Sequence, residues 1–122
     1  MPGLKISLGG RATLRELEAN MYNILLTGAQ KKHLRGLGQH LDPVLKLGKG
    51  GITPAFLKEL KLQLFTHELV KLRFLGLDRK ERDALCEKVA EEGRCLCIGA
   101  IGHTALFYRQ LSDPAKRIIQ FP

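Results

Sequence analysis

Four residues carry the most explicit chemistry in this chain: Gly48, Lys49, Gly50 and Gly51, set directly before Thr53 and Pro54 in the stretch LGKGGITP. Glycine costs a helix or strand about 0.5–1 kcal/mol relative to alanine, so three in four positions need a reason. Thr53-Pro54 reads as a helix start, because a Thr hydroxyl caps an orphan amide and proline lacks an N–H where none is needed. Such a start presents amide hydrogens and the positive end of the helix dipole. A phosphate is stabilised there, glycines let it reach the backbone, and Lys49 adds charge. The competing explanation is a tight strand-to-helix turn. Spacing removes two nucleotide-binding forms. G-x-x-x-x-G-K-[ST] fails because Lys49 is followed by Gly50, and G-x-G-x-x-G fails because position 53 is not glycine. What remains is G-x-x-G, a form that clamps a single-stranded nucleic-acid backbone. No cofactor is expected.

Other reactive side chains form no such constellation. His33, His40, His67 and His103 are scattered, and Cys86, Cys95 and Cys97 have no nucleophile motif around them, so an enzyme acting through a Cys-His pair is disfavoured. Spacing of the C-x2-C type is missing, so no metal site is expected. Cys95 and Cys97 are read as sharing one face of a strand, and all three thiols as buried, reduced and structural.

Charge narrows the partner. The 122 residues hold 20 Lys plus Arg against 12 Asp plus Glu, a formal net charge of +8, which favours a polyanion because neutralised phosphates release counterions. Residues 1–20 contribute three of those cations and two of those anions, so the basicity belongs to residues 21–122. The Gly-rich opening is read as an extension outside the core, with Thr13 and Glu16 able to form a capping box, and residues 21–122 as the single domain. No apolar run is long enough to span a bilayer, so a membrane is not expected as partner; nor is a small-molecule substrate expected.

The elements that must position the glycine loop emerge from periodicity. Thr27 and Gln30 fit a capping box opening a first helix, with Leu34, Leu37 and Leu41 as its apolar face and Lys31, Lys32 and Arg35 off that face; Gly36 and Gly38 should end it. Asp42-Pro43 breaks the chain, and residues 44–47 form a short strand. The second helix starts at Thr53, with Ile52 and Leu57 at staple positions and Leu57, Leu60 and Leu64 buried. Val70, Leu72 and Phe74 alternate with Lys71 and Arg73 as a strand. Asp78 caps a third helix with Leu85, Cys86, Val89 and Ala90 inward, and two strands turn at Gly102-His103. Phe65 and Phe74 are expected to be buried, which argues against base stacking as the main mode of recognition. The result is an α/β fold, α-β-α-β-α-β-β, with a mixed four-stranded sheet packed with three helices and parallel crossovers between the first strands.

LTGAQKKHLRGL at 26–37, GKGGIT at 48–53, HELVKLRFL at 67–75 and GHTALFYR at 102–109 together resemble the CRM domain family (chloroplast RNA splicing and ribosome maturation) in its stand-alone bacterial YhbY form. The resemblance runs from about Leu26 to the end. It implies a fold similar to the carboxy-terminal domain of translation initiation factor three, RNA as partner, and, for bacterial single-domain members, association with the precursor of the large ribosomal subunit. Carried onto this chain, it makes Gly48, Lys49, Gly50 and Gly51 the RNA-clamping loop and Lys31, Lys32 and Arg35 a basic first helix, expected on one continuous surface with Lys49. Lys58 and Lys61 are secondary candidates on the helix leaving the loop. Gly50 stands where relatives often have a polar residue, which shifts contact from side chain to backbone. A cytoplasmic monomer is expected. The rival is a protein-interaction module of the translation machinery that uses its basic surfaces on acidic partners.

Overall fold

The computed structural model describes residues 24–122; the reading of 1–20 as an extension lies outside them. The expected order is found: α1 (Gly28–Gly38), β1 (Leu45–Leu47), α2 (Pro54–His67), β2 (Leu69–Phe74), α3 (Arg79–Gly93), β3 (Leu96–Ile101) and β4 (Thr104–Tyr108), with a short 3-10 turn at Pro114–Lys116 in the tail. Each helix starts at its cap. Gln30 N donates to Thr27 Oγ1 at 3.1 Å and Thr27 N to Gln30 Oε1 at 2.9 Å. Phe56 N donates to Thr53 Oγ1 at 3.1 Å, with Pro54 in the first turn. Asp78 and Glu81 complete a second reciprocal box at 2.8 and 3.0 Å. Such caps contribute on the order of 1 kcal/mol each.

The sheet order is β1-β2-β4-β3. β1 and β2 run parallel, and β4 inserts antiparallel between β2 and β3, so the last strand fills the middle of the sheet and β3 takes an edge. Side chains alternate between two faces. One face carries Leu45, Leu47, Val70, Leu72, Phe74, Ala105 and Phe107, buried against Leu60 and Leu64 of α2 and Cys86 and Val89 of α3. This is the main core, and each such side chain contributes about 1.5–3 kcal/mol by leaving water. The other face holds a smaller cluster: Leu34 of α1 with Leu69, Ile98 and Tyr108, flanked by Ile119 and Phe121 of the tail. The Phe121 ring meets Tyr108 edge-on at 6.1 Å and His33 at 5.8 Å.

A buried carboxylate ties the tail down. Glu68, the C-cap of α2, is fully buried with φ 64°. Its carboxylate accepts from Leu111 N at 2.8 Å, Ile118 N at 2.7 Å and Ile119 N at 2.8 Å, and its carbonyl accepts from Arg109 N at 2.9 Å. The tail has no periodic pattern because its order comes from these bonds.

Several expectations need correction. The stripe Leu34, Leu37, Leu41 reduces to Leu34, since Leu37 and Leu41 are exposed. Gly38 takes over as the second contact of α1, for a Cβ there would collide with the Leu106 side chain. Cys95 precedes β3, so it shares no strand face with Cys97, and Cys97 is exposed whereas Cys86 and Cys95 are buried. The Cys86 thiol, hydrogen-bonded to Cys97, holds the Cys97 thiol below its ordinary range; that bond and burial push Cys86 up, and burial pushes Cys95 up to about 12. Phe65 is 65% exposed. The apolar side of α2 is already filled by Leu60 and Leu64, and residue 65 falls outside that arc.

Candidate nucleic-acid interface

The register lays out the α1 face of the sheet as successive rungs. Leu69 pairs with Tyr108, and Tyr108 with Leu96; this level lies under Leu34 and the tail. Lys71 pairs with Leu106, and Leu106 with Gly99. This level is covered by the end of α1, with Gly38 on Leu106 and the Arg35 chain 3.8 Å from where a Gly99 Cβ would stand. The third rung is Lys46, Arg73, Thr104 and Ile101, one residue from each strand. Helix α1 ends before it. Lys46 and Arg73 are exposed, and Ile101 is 77% exposed.

The glycine loop borders this open rung, because Lys46 stands two residues before Gly48. Gly51 N donates to Gly48 O at 3.0 Å, closing a turn with Lys49 and Gly50 at its tip. Gly51 has φ 76°, a left-handed conformation that glycine adopts without strain. A Cβ at Gly50 or Gly51 would meet nothing within 4 Å, and one at Gly48 would stand 3.5 Å from Leu75 O. Open space above the loop is what an approaching backbone requires, and the turn alone accounts for Gly51. At the head of α2, Pro54 has no N–H and Phe56's is taken by Thr53, which leaves the Ala55 amide outside the cap's own bonds.

Lys31, Lys32, Arg35 and Lys49 are all exposed. They do not sit side by side. α1 runs from the Leu69 level toward the Lys71 level, so Arg35 comes nearest the open rung and Lys31 and Lys32 lie a turn further from the loop. Arg35, Gln39, Lys71, Thr104 and Ile101 line a groove of about 470 Å³. The bridge between helix and loop is made by Lys46 and Arg73, whose only signal in the sequence is that they are basic residues at polar positions of two strands. Lys71 has a structural task. Its Nζ donates to Gly38 O at 3.2 Å and Leu41 O at 3.3 Å, closing the negative end of α1. The Lys46 and Arg73 side chains form no hydrogen bond or ion pair among the described residues. Lys58 and Lys61 are exposed on α2, and Lys61 lines a different cleft, beside Arg109.

Among the described residues no group of three or more His, Cys, Asp or Glu is placed to hold a metal, and no helix is long and apolar enough to cross a membrane.

Residues 26–109 match the family model for the CRS1 / YhbY (CRM) domain. A Haemophilus influenzae protein named "RNA-binding protein" is 37% identical over 97 residues, covering 80% of this chain and 95% of that one. A Pseudomonas aeruginosa protein carried under the name "Probable RNA-binding protein PA4753" is 37% identical over 93 residues, covering 76% and 89%. The solution structure of the Staphylococcus aureus protein SAV1595 superposes with a TM-score of 0.66 at 30% identity, covering 79% of this chain and all of that one.

Proposed function

Because the chain belongs to the CRS1 / YhbY (CRM) domain family, we propose that it is a non-enzymatic RNA-binding protein whose ligand is ribosomal RNA in a precursor of the large subunit. Residues 21–122 are the binding unit, acting as a monomer in the cytoplasm. The observation that carries the reading is the uncovered rung: two cations, Lys46 and Arg73, with no partner among the described residues, on a sheet face that no helix closes, beside a glycine turn with open space above it.

Phosphates are held by Lys46, Arg73, Lys49 and Arg35, with Lys31 and Lys32 extending the positive field along α1. The Ala55 amide and the positive end of α2 take a phosphate brought in over Gly50 and Gly51. Lys58 and Lys61 continue the cationic surface along α2. Contacts of this kind fix the backbone and carry little base information, so affinity is steeply salt-dependent and sequence preference is modest on this surface.

Crosslinking in cells followed by sequencing of the attached RNA tests the assignment. Reads concentrated in large-subunit ribosomal RNA and its unprocessed flanks are expected; reads spread in proportion to total RNA would remove the ribosomal part of the proposal. Retention of partners after ribonuclease treatment, with no RNA recovered, would favour a protein-interaction module.

A further inference from the structure

We propose a second contact, resting on the RNA-binding reading: a stacking site for one unpaired nucleobase on Phe65, reached from the glycine loop along the outer face of α2. Phe65 is 65% exposed, on a helix whose apolar side is already filled by Leu60 and Leu64. An exposed aromatic ring is a costly surface to leave in water. Its ring borders a cleft of about 340 Å³ that is also lined by Lys61, Leu64, Arg109, Gln110 and Ser112.

The cleft's chemistry selects the occupant. Lys61 and Arg109 supply two cations for phosphate, and Gln110 and Ser112 offer donors and acceptors for a base edge. A space at the lower end of the small-ligand range, roughly 300–1,000 Å³, suits one nucleotide and is too small for a partner helix. The cleft lies on the α2 side of the sheet, across from the open rung, and is reached through the glycine loop from which α2 starts. Lys58, Lys61 and Phe65 recur at i, i+3 and i+7, so they share one face of α2, and at 1.5 Å per residue Phe65 lies about 10 Å beyond Lys58 along the axis. A strand clamped at Gly48–Gly51 and continuing along α2 meets Lys58, then Lys61, then the ring. Stacking tolerates any base, because every base has a π-face.

The chain contains no tryptophan, so Phe65→Trp installs a sole indole reporter at an exposed position that leaves the core untouched. The probe is a short, unstructured, end-labelled oligoribonucleotide, with anisotropy of the label reporting binding and indole emission reporting stacking. Quenching that saturates along the same curve as the anisotropy is expected. An RNA duplex of matched charge should bind without quenching. Phe65→Ala and Phe65→Leu should both weaken single-strand binding by roughly five- to a hundredfold, since leucine keeps the apolar bulk and loses the π-face. Binding with constant indole emission and unchanged affinity of Phe65→Ala would overturn the stacking site and leave the RNA-binding reading standing. Absence of any anisotropy change for the unsubstituted protein would overturn both. Loss of a dimer in sedimentation on Phe65→Ala, with RNA affinity unchanged, would assign the ring to a protein contact and overturn the proposal as well.

Discussion

On β2, Val70, Leu72 and Phe74 are at most 2% exposed beneath α2 and α3, while Lys71 and Arg73, one residue away from them, face the layer that α1 only half covers. The two rows belong to the same strand and differ by the pleat alone. The covered row is fixed by packing, because the interior tolerates little change in volume. In the open row Lys71 closes the end of α1, whereas Arg73 is under no such constraint and stands as a cation where a third covering element would require an apolar residue. A sheet with one closed face and one half-open face has stability and binding assigned to different side chains, and substitution separates them.

The largest effect is expected where the closed face is opened. Phe74→Ala should cost about 3–5 kcal/mol in urea unfolding, through lost burial and the cavity left behind. Arg73→Ala, its neighbour on the other face, should stay within about 0.5 kcal/mol of the parent. Comparable losses for the two would mean that the α1 face is as tightly packed as the other and that Arg73 is structural.

Next in size is Glu68→Gln. The carboxylate accepts three backbone amides, and an amide group must turn its NH2 toward at least one of those donors. A cost of roughly 2–4 kcal/mol is expected from the lost charge-assisted bonds and the unsatisfied N–H, with faster hydrogen exchange at Leu111, Ile118 and Ile119 ahead of the core. Uniform loss of protection across the sheet would show instead that the tail is not a separate unit held by Glu68.

A smaller and purely functional effect is expected at the loop tip. Gly50→Ala and Gly50→Asp both fit, since a Cβ there meets nothing within 4 Å. The carboxylate would repel an approaching phosphate by an amount worth roughly a tenfold loss of RNA affinity, beyond any change caused by alanine. Equal affinity for the two variants would reduce Gly48, Gly50 and Gly51 to the needs of the turn.

What the sequence made legible divides along the same line. Element order, caps and the closed face could be read because local signals agree there: Thr53-Pro54 with Ile52 and Leu57, Asp78 before an apolar stripe, and the alternation Val70, Leu72, Phe74. The loop and the basic character of α1 were equally visible as motif and charge. The open rung was not. Lys46, Arg73, Thr104 and Ile101 come from four strands, and only the insertion of β4 between β2 and β3 sets them in a row. Helical period places Leu37 and Leu41 on the side of Leu34, while the length of sheet beneath a helix decides whether that side is covered. Phe65 departs for a related reason: hydrophobic type does not imply burial on a helix whose inward arc is already full. Glu68 gave no sequence signal, since its partners are amides 43 to 51 residues further along the chain.

The central claim is that RNA phosphates lie on the open face, and it is tested most directly by moving the same loss of charge from one face to the other. Log affinity for a short single-stranded RNA is measured against log salt for the parent, for Lys46→Ala/Arg73→Ala on the open rung, and for Lys80→Ala/Lys88→Ala on the solvent side of α3, which covers the closed face. Removing the cation from one bound phosphate should flatten the slope by about 0.7 for single strands, so the open-rung pair is expected to flatten it by about 1.4 while the α3 pair leaves it unchanged. Equal flattening by the two pairs would mean that RNA responds to net charge alone and would contradict an interface on this face.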